Sequence, residues 1–199
     1  YSLKDKSYQS FYFSGKMDNL DDDYFARHGV AVEIEGAYWP ESYSNGITPF
    51  GAVKLMVDGT MRAGKRVVFL PHLYGRVLIG DCTEIPYLNY FGGSEPGRYF
   101  SQQLPFIGMN HANPIYNSVM IARMDVRRQF GSNHYVYAIA NYLRSGMSID
   151  EMLSSRGFGI WGFGVKYAYN SPIGPLSFNV HWSDYDHKVG AYVSLGHYF

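Results

Sequence analysis

The sequence is short of several things at once. It has one Cys in 199 residues, so no internal disulfide framework can hold it, and neither CxxC nor paired His/Cys spacing offers a metal site. Charged residues make up 17% of the chain and sum to a net charge of +0. That fraction is below the ~25% of an ordinary soluble domain. The neutral balance argues against a nucleic-acid partner, which needs a basic patch or stripe. No run of about 18 apolar residues exists, so no transmembrane helix is expected. That leaves a membrane β-barrel open, because its strands carry a much weaker hydropathy signal. No low-complexity linker divides the chain, so one domain, 1–199, is expected. The chain starts at Tyr1 without a Met or signal peptide and reads as a mature product or a fragment.

What is abundant points to β structure: 22 Gly, 19 Tyr and 13 Phe. Period-2 alternation is clearest near the C-terminus. Leu176, Phe178, Val180 and Trp182 alternate with Ser177, Asn179, His181 and Ser183. Val189, Ala191, Val193, Leu195 and Phe199 then share a face, with His197 the exception. This is strand periodicity. Similar patterns predict about nine strands, near 8–16, 29–39, 51–62, 65–79, 117–130, 134–144, 157–169, 174–183 and 188–199. The first is weakly patterned, and Tyr135 to Leu143 is apolar on both faces. Most of these segments exceed the 5 or 6 residues of a typical soluble strand and match the ~9–11 of a tilted membrane strand.

The connections alternate as well. Arg62 to Lys65, Phe130 to His134 and Asn170 to Gly174 are tight; Trp39 to Gly51, Gly80 to Asn117 and Arg144 to Gly157 are long. Short turns on one side and long loops on the other fit an outer-membrane barrel. Asp18 to Gly29 and Asp184 to His187 break the rule. The parity that carries Glu33, Glu35, Asp58 and Asp125 also carries Lys54, Arg62, Arg66, Arg76, Arg123, Arg127 and Lys166. Charged residues on that face would point inward, since lipid gives them no hydrogen bonds. They read as salt-bridged lumen fillers, with a substrate or ion path as the sharper alternative. A soluble β-sandwich is the competing fold.

Three segments resemble the BamA-type outer-membrane superfamily, also called the bacterial surface antigen family. Asn19-Leu20-Asp21-Asp22-Asp23-Tyr24-Phe25-Ala26-Arg27-His28-Gly29 is similar to its "LDxxYFPTxG" turn, with Ala26 where Pro is common. Tyr90-Phe91-Gly92-Gly93-Ser94-Glu95-Pro96-Gly97-Arg98-Tyr99-Phe100 is similar to its sixth extracellular loop, "FxxGGxxxxRG[FY]". Ser171-Pro172-Ile173-Gly174-Pro175-Leu176 is similar to "[ST]P[IL]GPL", which opens the penultimate strand. The resemblance covers the chain in order and spacing.

The resemblance implies an antiparallel transmembrane β-barrel whose strands here are the eighth to sixteenth of sixteen, so the chain would be the C-terminal part of a longer one, or a truncation that borrows strands. It implies that 81–116 is an extracellular loop folded into the lumen. Arg98, Gly92 and Gly93 would anchor that loop, with Asp125 or Asn141 facing Arg98. This sequence lacks the Gly after Arg98, and Asn141 stands where the family's acidic residue is expected; both departures count against insertase activity. The amphipathic last strand ending in Phe199, with Val193, Leu195 and His197, would be the signal read by the barrel assembly machinery.

Ser101-Gln102-Gln103-Leu104-Pro105-Phe106-Ile107-Gly108 and Tyr135–Tyr142 resemble the barrels of patatin-like phospholipases of Bacteroidetes. This implies a lipid acyl hydrolase fused upstream as passenger, in the outer membrane of a Gram-negative bacterium; the alternative is an assembly or translocation factor. The chain itself holds no catalytic elbow: Gly92-Gly93-Ser94-Glu95-Pro96 has the wrong spacing for Gly-x-Ser-x-Gly. No cofactor is expected. Asp184, Asp186 and His187 are equally explained as a cation site or as turn chemistry.

Overall fold

A computed structural model describes residues 9–41, 48–82, 85–93 and 101–195. Nine long strands form one antiparallel sheet. They are β1 (Phe11–Asp18), β2 (Gly29–Trp39), β3 (Phe50–Arg62), β4 (Val67–Gly80), β8 (Ser118–Phe130), β9 (His134–Gly146), β10 (Phe158–Ser171), β11 (Gly174–Ser183) and β12 (Val189–Leu195). They follow one another in the sheet in chain order. The strands expected from periodicity agree with these to within a few residues. The first is displaced, starting at Phe11 rather than Tyr8, and the expected continuation of the last beyond Leu195 lies outside the described residues.

The sheet sorts side chains as lipid exposure requires. Leu55, Leu73, Met124, Phe163, Val165, Phe178, Val180 and Val193 stand on one face, and each is 39–62% exposed. The protein itself buries none of them, so this face finds its apolar medium outside the chain. The opposite parity carries the buried set. In β9 that is Tyr135, Tyr137, Ile139, Asn141, Leu143 and Ser145, which settles the segment whose pattern was apolar on both sides. Glu33, Glu35, Lys54, Arg76, Arg123 and Arg127 share this inner face. The competing sandwich would bury the Val193 and Leu195 row under a second sheet; these two are 62% and 60% exposed.

The largest core cluster forms where the chain between β4 and β8 folds back over the inner face. That stretch contains β5 (Asn89–Phe91), β6 (Gln103–Leu104) and β7 (Asn113–Ile115), a small three-stranded sheet with β5 in the middle. Phe91, Leu104, Phe106 and Met109 of this segment pack with Met56, Tyr74, Val119, Ile121, Leu143 and Ile160 of the wall. Between β9 and β10 sits a helical turn, α1 (Ile149–Leu153). Ser148 caps it by accepting from the Glu151 N–H at 3.2 Å, and the Glu151 carboxylate accepts from the Met147 N–H at 2.9 Å. The Ser-x-x-Glu spacing is a capping signature; the alternation on either side hid it.

The β3–β4 ladder is interrupted where Gly59–Thr60 pass Leu70–Pro71, because Pro71 has no N–H to give. Among the described residues no helix is long and apolar enough to cross a membrane.

Candidate functional site

The chain from Pro105 to Asn110 crosses β9, β10, β11 and β12 on their inner face, and each strand offers it something different. On β9, the Asn141 amide holds the Ile107 peptide from both sides. Its Oδ1 accepts from the Ile107 N–H at 2.7 Å, and its Nδ2 donates to the Ile107 carbonyl at 3.0 Å. Asn141 is fully buried. The side chain therefore supplies what a neighbouring strand would otherwise supply, and the crossing backbone is satisfied inside an apolar core.

On β10 the offering is space. A Cβ on Gly162 would collide with the Ile107 carbonyl oxygen and Asn141 Nδ2, and one on Gly164 would sit 2.7 Å from Ile107 Cγ2. On β11, Ser183 Oγ donates to the Gly108 carbonyl at 3.1 Å. His181 joins Asn179 Oδ1 at 2.8 Å through Nδ1 and Asn110 Oδ1 at 2.9 Å through Nε2. On β12, Gly190 leaves the room that His181 and Asn110 occupy. In the fold it pairs with His181 in a regular β11–β12 ladder, and its missing side chain admits the crossing segment.

The start of the segment is held as firmly. The Gly92 N–H donates to the Leu104 carbonyl at 3.1 Å, and Gln103 Nε2 donates to the Gly92 carbonyl at 2.5 Å. Gly93 bridges Phe106 and donates to the Met109 carbonyl at 3.1 Å. Gly92 has φ +126, and a Cβ there would strike the His111 carbonyl; no other residue fits. At the outer edge, Arg76 Nη1 donates to Asn89 Oδ1 at 2.6 Å, and Asn89 Nδ2 donates to the Tyr116 and Asn117 carbonyls, both at 2.8 Å.

Nearer the opposite end, the inner face is a polar lattice. Lys54 Nζ lies 3.1 Å from Glu33 and 3.3 Å from Glu35, and it donates to the Ser101 carbonyl at 3.3 Å. Asp58 Oδ1 is 2.5 Å from His72 Nδ1 and accepts from the Tyr74 hydroxyl at 2.7 Å. Asp125 takes Arg123 as a two-pronged partner, both bonds at 2.7 Å. With both side chains almost fully buried, the paired geometry offsets a desolvation cost that either ion alone would bear. Among the described residues no arrangement on this face resembles a nucleophile, base and oxyanion hole. Among the described residues no group of three His, Cys, Asp or Glu could hold a metal.

Of the residues singled out from sequence, Gly92, Gly93 and Asn141 meet on the crossing segment, whereas Asp125 sits apart with Arg123. Arg98 lies outside the described residues, as do Ser94, His197 and Phe199. Val193 and Leu195 stand on the outer face of β12. Asp184 and Asp186 work as turn braces: Asp184 accepts from the Trp161 N–H at 2.8 Å, and Asp186 from the Lys188 N–H at 3.1 Å.

Gly162, Gly164, His181 and Asn110 were not identified from sequence. Glycines at alternate positions on one strand face, as in Gly162-Phe163-Gly164, are the signal that a backbone passes close by.

The other family-like segment, Asn19–Gly29, is a braced plug. Asp21 accepts from the N–H groups of Arg27 and His28 at 2.6 and 3.1 Å, and Asp22 from those of Tyr24 and Phe25 at 2.9 and 2.7 Å. These bonds, with the His28 ring beside it, hold the Asp21 carboxyl below the ordinary carboxylate range. Phe25 stacks on Tyr135 at 4.1 Å between centroids, and Arg127 donates to the Phe25 and Ala26 carbonyls.

A sheet of long, tilted-length strands with an apolar outer face and a polar inner face lined by its own returning loop is the wall of an outer-membrane β-barrel. The OMP85 superfamily model matches residues 1–199, and the chain belongs to that superfamily. Its members are bacterial outer-membrane proteins that generally work with the outer-membrane assembly machinery. No curated protein matches the chain.

Proposed function

We propose that this barrel domain anchors or translocates a passenger fused to it, a patatin-like phospholipase, in the outer membrane of a Gram-negative bacterium. The segment 81–116 is then an extracellular loop folded into the lumen, with Gly92, Gly93, Asn141 and Arg98 as its anchors. The observation that carries this reading is the crossing at Asn141. A loop bonded to successive strands and packed into an apolar cluster on the inner face supports it, because a permanently open pore would need that face clear. Such a domain serves membrane residence better than free conduction. The likeness of Ser101–Gly108 to phospholipase-fused barrels supports the passenger. Lipid contacts the outer face, and Val193, Leu195, His197 and Phe199 present the assembly signal. The barrel contributes no catalysis.

Membership of the OMP85 superfamily favours a second reading, a barrel that assembles or moves other proteins. Purification from native membranes with an antibody to the barrel separates the two. The first expects a polypeptide larger than 199 residues that releases fatty acid from phospholipid. A hydrolase-free polypeptide whose depletion empties the outer membrane of other barrels would overturn it.

A further inference from the structure

A cavity lies on the inner face where the Asn19–Gly29 plug meets the short-turn ends of β4, β8 and β10. It measures about 240 Å³ and is polar. Three arginines from three different elements line it: Arg27 of the plug, Arg66 of the β3–β4 turn and Arg127 of β8. None has a carboxylate in ion-pairing range among the described residues. Two reach backbone carbonyls. Arg27 Nη2 donates to Lys65 at 2.5 Å, and Arg127 Nη2 donates to Phe25 and Ala26. Arg127 is 2% exposed, and its Nη1 is buried without a hydrogen-bond partner among the described residues. A buried guanidinium with a vacant donor is costly to leave unmatched.

Two carboxylates share the rim, Asp21 and Asp22. Both are already committed: Asp21 to two N–H groups and the His28 ring at 2.9 Å, Asp22 to two N–H groups. They stiffen the plug, and with three arginines against two carboxylates the lining keeps a net positive charge. Asn170 adds an amide to the wall. Three arginines lining one small polar cavity suit a tetrahedral oxyanion, whose oxygens accept forked N–H pairs.

The geometry points to an oxyanion-binding site for a phosphate group, free or on a lipid headgroup, at the short-turn mouth of the barrel, held by Arg27, Arg66 and Arg127. It is independent of what the barrel carries. Bound phosphate would tie the plug, the β3–β4 turn and β8 together.

The test is titration of the detergent-solubilised protein with inorganic phosphate, read by calorimetry and by the thermal unfolding midpoint, against chloride at matched ionic strength. Saturable binding is expected, with a midpoint that rises with phosphate alone. Arg66→Gln and Arg27→Gln should each weaken binding by about tenfold, the loss of one charge-assisted contact. Arg66 is exposed, so its variant retains the fold where Arg127→Gln disturbs the aromatic stack. Dihexanoyl phosphatidic acid that displaces phosphate at lower concentration identifies a lipid headgroup as the source; failure to displace it identifies the free anion. No binding beyond the chloride control, or both variants binding like the parent, overturns the site.

Discussion

Asn141 grips the peptide of Ile107 by both its donor and its acceptor, at 3.0 and 2.7 Å, across 34 residues of sequence. A carboxamide alone among small side chains can do this in one plane. Replacing it with Ala strands a buried N–H and a buried carbonyl, at about 1–3 kcal/mol each. Asn141→Ala should keep the barrel folded and make the 101–116 segment protease-sensitive. Asn141→Asp should be at least as damaging, since a carboxylate cannot donate to the Ile107 carbonyl. Limited proteolysis in detergent beside heat-modifiability on gels measures both.

Gly162 tests the same crossing from the opposite side. Gly162→Ala places a methyl where the Ile107 carbonyl and Asn141 amide lie. We expect loss of loop protection comparable with Asn141→Ala, and little additivity in the double variant, because both act on one contact. Gly15→Ala is the control. Its nearest neighbour would be Ile34 Cγ2 at 3.5 Å, an ordinary contact, so protection should not change.

The facing assignment predicts an asymmetry between adjacent residues of β12. Val193 is 62% exposed on the outer face, and Arg there costs roughly 2–4 kcal/mol at mid-depth. Ser194 is on the inner side, where its hydroxyl lies 2.6 Å from that of Ser177. Val193→Arg should block membrane assembly and Ser194→Arg should be tolerated better, measured as the heat-modifiable fraction in outer membranes. Equal tolerance would invert or abolish the faces.

The Asn19–Gly29 plug should respond to acid through Asp21. Its carboxyl is held below the ordinary range, first by the Arg27 and His28 N–H groups. A group depressed on folding stabilises fully above its unfolded value, about 3.9, and that contribution fades as pH falls through the lower folded value. Hydrogen exchange of the peptide holding Arg27, divided by its intrinsic rate at each pH, should be slow at pH 5 and above and should rise below about pH 4. Asp21→Asn should exchange faster throughout and lose the pH step.

The sequence by itself determined the strands, their order and their faces. A period of two is local: each residue declares its side through its own polarity, as Leu176 to Ser183 do, and lipid outside with polar groups inside enforces one register. The tight turns were legible for the same reason. Where a helical turn formed, after Ser148, a local cap was present and the stronger pattern around it concealed it.

Only the tertiary structure decided what closes the inner face. An Asn inside an apolar strand, three glycines on neighbouring strands and a Ser near a strand end have no local partner to reveal their use. Their meaning comes from a backbone arriving 34 to 75 residues away in sequence. The same holds for Asp125, whose two-pronged partner among the described residues is Arg123, two residues along its own strand. Hydrogen bonds and excluded volume act over a few ångströms, so they are written in the fold and not in the spacing of residues along the chain.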